Sequence, residues 1–440
     1  MKIGVVPNLN RAVGGSYQYA VTMVRALAEL DLPGDEIVLF LYAGESLPED
    51  LAGVRFPSEE LRTVTGLTAS LWGPIARRLS PGTRTRLRRL AGGRAPATGT
   101  VADDSAAGGA GGARWPLLDP LWKRWFDDRG VELLIFTNEN DLAFLTGVPY
   151  IVAIHDLQHR LHPEFAEVSD DGEGDRREYS VGNCVREAAL VLVDSEVGKD
   201  DMLTYYGGEG VSEADIGVLP FLPADYMGID VSDQERRRVH AVWDLPERYF
   251  FYPSQFAPSK NHLRLIEALA LLRSRAGEVS LILGGSHSGA LREETFAGVW
   301  EAADRLGVTD LVRYLGYIPD EDMPALYAES LGLAMPTFFG STNIPILEAW
   351  AVGAPVLTSD IRGVADQAGD AAVLVDPESV DSIAAGLAVL LDPEKARELA
   401  QKGRARLASY TRDEYLRRLS GFLAKARQKI QSGRDARMGG

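Results

Sequence analysis

The chain has 440 residues, 45% hydrophobic and 25% charged, which is enough for two or three domains with apolar cores and excludes disorder throughout. Its 63 acidic and 46 basic residues leave a formal net charge of −17, so nucleic acid is set aside as a main partner. A single cysteine, Cys184, excludes an intramolecular disulfide framework and a multi-thiolate metal site. It fits a reducing compartment and reads as a small buried hydrophobe rather than a reactive thiol. The opening run Met1 to Pro7 is too short for a secretory core, and no apolar run approaches the ~20 residues that cross a bilayer. A cytoplasmic location, at most peripheral on the inner face of a membrane, is expected.

Short apolar runs alternate with helical periodicity along most of the chain, the pattern of buried parallel strands and crossover helices in an α/β protein. Strands are predicted at Ile3–Val6, Ile37–Tyr42, Leu133–Phe136, Tyr150–Ile154, Leu190–Val193 and Ile216–Leu219. A second series follows at Tyr249–Tyr252, Ser280–Leu283, Val312–Leu315, Leu331–Met335, Pro355–Thr358 and Ala372–Val375. Two series predict two doubly wound, Rossmann-like domains, 1–222 and 247–411, with the charged stretch 223–246 as the linker. A helix over 412–430, returning to the first domain, and a frayed tail over 431–440 complete the expectation.

Between residues 92 and 113 the sequence turns Gly/Ala/Ser-rich and loses all hydrophobic period, which predicts a mobile loop. Before it, seven arginines from Arg77 to Arg94 occur without an acidic residue, beside Leu71, Trp72, Ile75, Leu79 and Leu87. Two readings stand for this segment: a solvated helix face, or a basic and partly apolar patch that contacts an anionic membrane or a lipid-linked acceptor.

Several stretches carry chemistry. Gly14 and Gly15 open a helix after the first strand, where exposed N–H groups suit a phosphate; a tight strand-to-helix turn would need the same glycines. His155 follows the strand Tyr150–Ile154 at its carboxyl end, where open α/β sheets bind ligands, and reads either as a ligand contact or as a structural histidine held by Asp156. Lys260 stands at a helix start, an unfavourable place for a cation unless an anion joins it. Ser341, Thr342 and Asn343 precede Pro345 as a capped helix start offering free N–H groups. Glu348 follows between Leu347 and Trp350, where a buried carboxylate needs donors that ribose hydroxyls would supply. Asp320-Glu321-Asp322 reads as an N-cap cluster before Met323 rather than a metal-binding DxD, and Gly284 to Gly289 lacks the full dinucleotide spacing. No metal site is predicted.

Ile154 to His159 with Pro163-Glu164-Phe165, Lys260-Asn261-His262, and Asn343 to Ala349, in this order and spacing, resemble the retaining glycosyltransferases of family 4, the group 1 glycosyltransferases. The resemblance covers most of the chain and is weakest from about Leu47 to Gly130. It implies a GT-B fold, two Rossmann-like domains facing each other across a cleft. It also implies a metal-independent hexosyltransferase without cofactor, moving a sugar from a UDP- or GDP-sugar to a saccharide or lipid-linked acceptor, in cell-surface polysaccharide or glycolipid assembly. In its terms His155 contacts the transferred sugar, Gly15 approaches the diphosphate and helps shape the acceptor cleft, Lys260 binds the diphosphate, and Glu348 holds the ribose. Backbone groups of Thr342, Asn343 and Ile344 face the sugar and phosphates. The family's first acid is here Gly340, and the arginine five before the lysine is here Gln255, so Ser341, Asn343 or a residue elsewhere must substitute. Reaction by front-face substitution, with the leaving diphosphate taking the acceptor proton, follows from the same resemblance. A catalytically silent nucleotide-sugar-binding subunit and a nucleotide-sugar epimerase on the same fold are the alternatives.

Overall fold

The computed structural model describes residues 1–11, 14–61, 118–228 and 230–438. The segment Arg77 to Arg94 and the stretch 92–113 lie outside them. The first domain holds seven parallel strands: β1 (Lys2–Val6), β2 (Glu36–Tyr42), β3 (Ser58–Leu61), β4 (Leu133–Phe136), β5 (Tyr150–Ala153), β6 (Leu190–Val193) and β7 (Ile216–Val218), in the order β3-β2-β1-β4-β5-β6-β7. The second holds β8 (Tyr249–Pro253), β9 (Ser280–Gly284), β10 (Val312–Tyr314), β11 (Leu333–Met335), β12 (Val356–Ser359) and β13 (Val373–Val375), in the order β10-β9-β8-β11-β12-β13. Helices cover both faces, so a central strand such as β4 is buried at every position and reads as a continuous apolar run.

The strand order reverses between β1 and β4 in one sheet and between β8 and β11 in the other. At such points the two crossovers leave on opposite faces and open a crevice at the carboxyl strand ends. Three helices begin there: α1 (Gly15–Glu29) after β1, α2 (His262–Ala276) after β8 and α3 (Ile344–Val352) after β11. The crevice in the first domain is pinned by the Asn8 N–H, which donates to the Thr137 hydroxyl at 2.8 Å.

β3 is the strand the periodicity did not predict. Ser58-Glu59-Glu60-Leu61 is an edge strand in which only Leu61 is buried, so no apolar run marks it. Within 223–246, the helix Asp233–Trp243 packs against the helix Met323–Glu329 of the second domain. Asp322 is the residue before that second helix, but its carboxylate takes Arg238 and the Trp243 indole N–H rather than the helix's own N–H groups. The N-cap reading of Asp320 to Asp322 is thereby corrected: burial made a charged and a neutral donor from the neighbouring helix the better partners.

The last helix, α4 (Arg412–Met438), returns to the first domain. Arg412 meets Glu29 at 2.8 Å, Arg427 meets Asp35 and Lys429 meets Asp215 at 2.5 Å. Leu419, Leu423, Ala426 and Ile430 form its buried stripe. The helix runs on through 431–438, where a frayed tail was expected; no proline interrupts it, and Gln431 donates to Asp435 one turn on at 3.0 Å. Cys184 is buried at the side of helix Glu173–Glu187, its thiol 3.4 Å from the Asn140 carbonyl, and burial pushes it up to about 12.

Candidate active site

A cavity of about 520 Å³ lies between the two domains at the paired crevices. Gly14, Gly15 and His155 line it from the first domain. Gln255, Lys260, Ser341, Thr342, Asn343, Ile344 and Glu348 line it from the second, so one cavity collects all the candidates. The N-termini of α1 and α3 meet across it: a Cβ on Gly15 would lie 3.4 Å from Cδ1 of Ile344. Gly14, at φ +55°, makes the turn into α1, and a Cβ there would lie 3.9 Å from Nε2 of Gln255. Both helices therefore point positive dipole ends at one space, a setting for an anion.

His155 is not held by Asp156. Its Nε2 lies 2.8 Å from the Thr137 carbonyl, which only accepts, so Nε2 carries the proton and Nδ1 keeps its lone pair. Tyr19 and Phe221 pack around the ring, and burial lowers its pKa and keeps it neutral. Asp156 turns instead to Arg177 at 2.6 Å and to the Gln158 N–H at 2.9 Å.

Lys260 closes a short turn, Pro258–Lys260, just before α2. The next residue, Asn261, sits in the left-handed region at φ +61°, which Asn tolerates better than most side chains. Its Nδ2 donates to the carbonyls of Pro336 and Pro377, both at 2.8 Å, and this fixes the turn. Burial lowers the Lys260 pKa, opposed by the fields of Asp156 and Glu167. Those acids are already engaged, Asp156 by Arg177 and Glu167 by the Ser259 N–H at 3.1 Å. An incoming diphosphate would supply the counter-charge that a partly buried ammonium needs.

The loop before α3 differs from the capped start that its composition suggested. The Asn343 side chain makes no cap bond, and its backbone N–H donates to Gln367 Oε1 at 2.7 Å, so this N–H is not free. Ser341 is drawn across the cleft, where its hydroxyl lies 2.8 and 2.9 Å from the two oxygens of Asp194. Glu348, 5% exposed, accepts from the Tyr327 hydroxyl at 2.8 Å. Burial, with Asp320 nearby, raises its pKa to about 7.

Asp194, which does not itself line the cavity, is the partner of the cavity residue Ser341 and was missed by the sequence reading. It follows β6 at the carboxyl end of the sheet, is 4% exposed, and burial outweighs its hydroxyl donors to lift its pKa to about 7. A carboxylate directly after an apolar strand, in Leu192-Val193-Asp194-Ser195, was the available signal. Among the described residues no group of three or more His, Cys, Asp or Glu is placed to hold a metal ion. None of the described helices is long and apolar enough to cross a membrane.

Residues 233–406 match the family described as glycosyl transferases group 1. The O-antigen chain mannosyltransferase B of Escherichia coli is 35% identical over 153 residues, 34% of this chain and 39% of that protein. A D-inositol 3-phosphate glycosyltransferase of Salinispora tropica is 29% identical over 242 residues, 52% of this chain and 49% of that protein. The match thus spans half or less of the length of these two relatives. Among solved structures, Anabaena Alr3699/HepE in complex with UDP-glucose superposes with a TM-score of 0.68 at 16% identity, over 96% of this chain and 99% of that one. Sucrose-phosphate synthase from Thermosynechococcus elongatus gives 0.64 at 16% identity, with 100% of both chains covered. Residues 233–406 thus match the group 1 glycosyl transferases, in a chain with the two-domain α/β fold of the GT-B type.

Proposed function

We propose that the protein is a retaining glycosyltransferase that moves a hexosyl group from a nucleoside diphosphate sugar to a saccharide or lipid-linked acceptor. The observation that carries this reading is the convergence of Lys260 and two helix N-termini on one interdomain cavity that Glu348 also lines. Lys260 and the N–H groups of α1 and α3 bind the diphosphate, and Glu348 accepts from the ribose. His155 presents the Nδ1 lone pair to a hydroxyl of the transferred sugar.

In the reaction the acceptor oxygen bonds to the anomeric carbon on the face from which the diphosphate departs. The bond from that carbon to the phosphate oxygen breaks, and the leaving diphosphate takes the acceptor proton. The protein's part is to stabilise the charge that develops on the leaving group, which a partly buried ammonium and oriented N–H groups do without moving. No metal enters this scheme. The neighbour HepE is seen in complex with UDP-glucose, and the named relatives are a mannosyltransferase and a D-inositol 3-phosphate glycosyltransferase; the donor base and sugar of this protein are to be read from a panel.

The test is release of UDP or GDP from a panel of nucleotide sugars by the purified protein, with and without a chelator. Release that survives chelation supports the reading. Loss on chelation that Mn²⁺ or Mg²⁺ restores overturns metal independence, and binding without release under any acceptor favours a silent subunit.

A further inference from the structure

The two carboxyl oxygens of Glu348 have different surroundings. Oε2 accepts from the Tyr327 hydroxyl at 2.8 Å. Oε1 has no hydrogen-bond partner among the described residues, yet it is not one of the polar atoms that the fold encloses. One oxygen is thus held from behind, and the other is left for the cavity that Glu348 lines.

The two side chains are not equally mobile. Tyr327 is fully buried on the helix Met323–Glu329, and its ring stands edge-on to Phe251 of β8 with centroids 4.9 Å apart. That helix packs on α3, and its Leu326 carbonyl accepts from the Tyr249 hydroxyl at 2.9 Å. A phenol whose ring is clamped in the core has a fixed oxygen. A glutamate turns about three side-chain bonds, and ordering it only when a ligand arrives would lower affinity. Packing does not account for the hydroxyl, because phenylalanine would fill the same space without a buried polar group to satisfy. Its one hydrogen bond goes to Glu348.

Building on the nucleotide-sugar reading above, we propose that Tyr327 is a positioning residue for the donor: by holding Oε2 of Glu348 it sets Oε1 to accept from a ribose hydroxyl. Tyr327 itself touches no ligand and acts through the carboxylate.

Calorimetric titration of the whole chain at pH 8, where the Glu348 carboxyl at about 7 is largely ionised, tests this with UDP, GDP and their 2′,3′-dideoxy analogues, which lack the ribose hydroxyls. The unaltered protein should bind the correct nucleotide about tenfold or more tighter than its dideoxy analogue. Equal affinities would overturn the assignment without any variant. Tyr327→Phe keeps the ring and its packing; it should weaken the natural nucleotide about fivefold and leave the analogue within about twofold. In a Glu348→Ala background the same change should have no further effect. A merely structural tyrosine would weaken both ligands alike and do so in either background, and that result, or unchanged affinity for both, overturns the assignment. If neither UDP nor GDP binds the unaltered protein, the nucleotide-sugar reading itself fails and the assignment falls with it.

Discussion

At the residue scale the cleft sets a partly buried ammonium, Lys260, near the buried carboxyl of Glu348. Glu348 has a carboxyl pKa of about 7 in the folded chain against an ordinary 4.5. Between those values the folded state keeps a proton that the unfolded state has lost, so stability falls as pH rises through that window. Glu348→Gln removes the slope. Its gain in melting temperature over the unaltered protein should be small at pH 5 and grow towards pH 8, reflecting on the order of 3 kcal/mol at most. A constant difference across that range would show that Glu348 does not titrate there. For His155, the bond to Thr137 leaves only Nδ1 to face the sugar. His155→Ala should therefore cut turnover far more than it weakens the bare nucleoside diphosphate. Loss of the fold instead would make the histidine structural, held between Tyr19 and Phe221.

The candidate residues that line the cavity were legible in the sequence because they follow a strand or lie at a helix start, and open α/β sheets place such positions together, whereas Arg11, Tyr226 and Tyr317, which also line it, were not named. The candidates' partners were not legible. Arg177 on Asp156, Tyr327 on Glu348 and Asp194 on Ser341 join residues 21, 21 and 147 positions apart, and no local pattern encodes such pairings. The same limit explains the loop before α3. Ser341 and Asn343 have the composition of a cap, but the Ser341 hydroxyl goes to a carboxylate of the other domain, and Asn343 is held through its backbone by Gln367 while its side chain makes no cap bond.

At the element scale the buried parallel strands announce themselves as apolar runs, and the twelve predicted runs all correspond to strands in the two sheets. β3 escaped because an edge strand buries little, and the helical end of α4 because polar residues without proline look alike as tail or as helix. The docking of α4 on the first domain depends on Gly217 in β7, where a Cβ would lie 2.6 Å from the Phe422 ring. Gly217→Ala should cost about 1–3 kcal/mol through overpacking and lower the melting temperature. In a Phe422→Ala background the same change should cost much less, because the colliding ring is gone. Equal costs in both backgrounds would mean that the helix does not press on β7.

At the scale of the whole molecule, function rests on two domains meeting over one cavity. They are tied across it by Ser341 to Asp194, by the Ser259 N–H to Glu167, and by Arg362 to Asp201 at 2.6 Å. The aromatic pairs Phe165–Phe338 and His162–Phe339 close the same seam. The net charge of −17 makes this focusing necessary: an anionic ligand approaches against the overall field and is held by local cations and dipoles. The first domain alone would present the N-terminus of α1 with His155, and the second Lys260 with the N-terminus of α3.

The central claim is that this cavity binds a nucleoside diphosphate through Lys260, and thermal melting with UDP and GDP tests it most directly. At about a hundred times its dissociation constant, the correct nucleotide adds about 2.7 kcal/mol to the folded state. One of the two should raise the melting temperature of the unaltered protein. Lys260→Ala should weaken its affinity about ten- to a hundredfold while leaving the fold intact. No stabilisation by either nucleotide, or unchanged affinity in a folded Lys260→Ala variant, would contradict the claim.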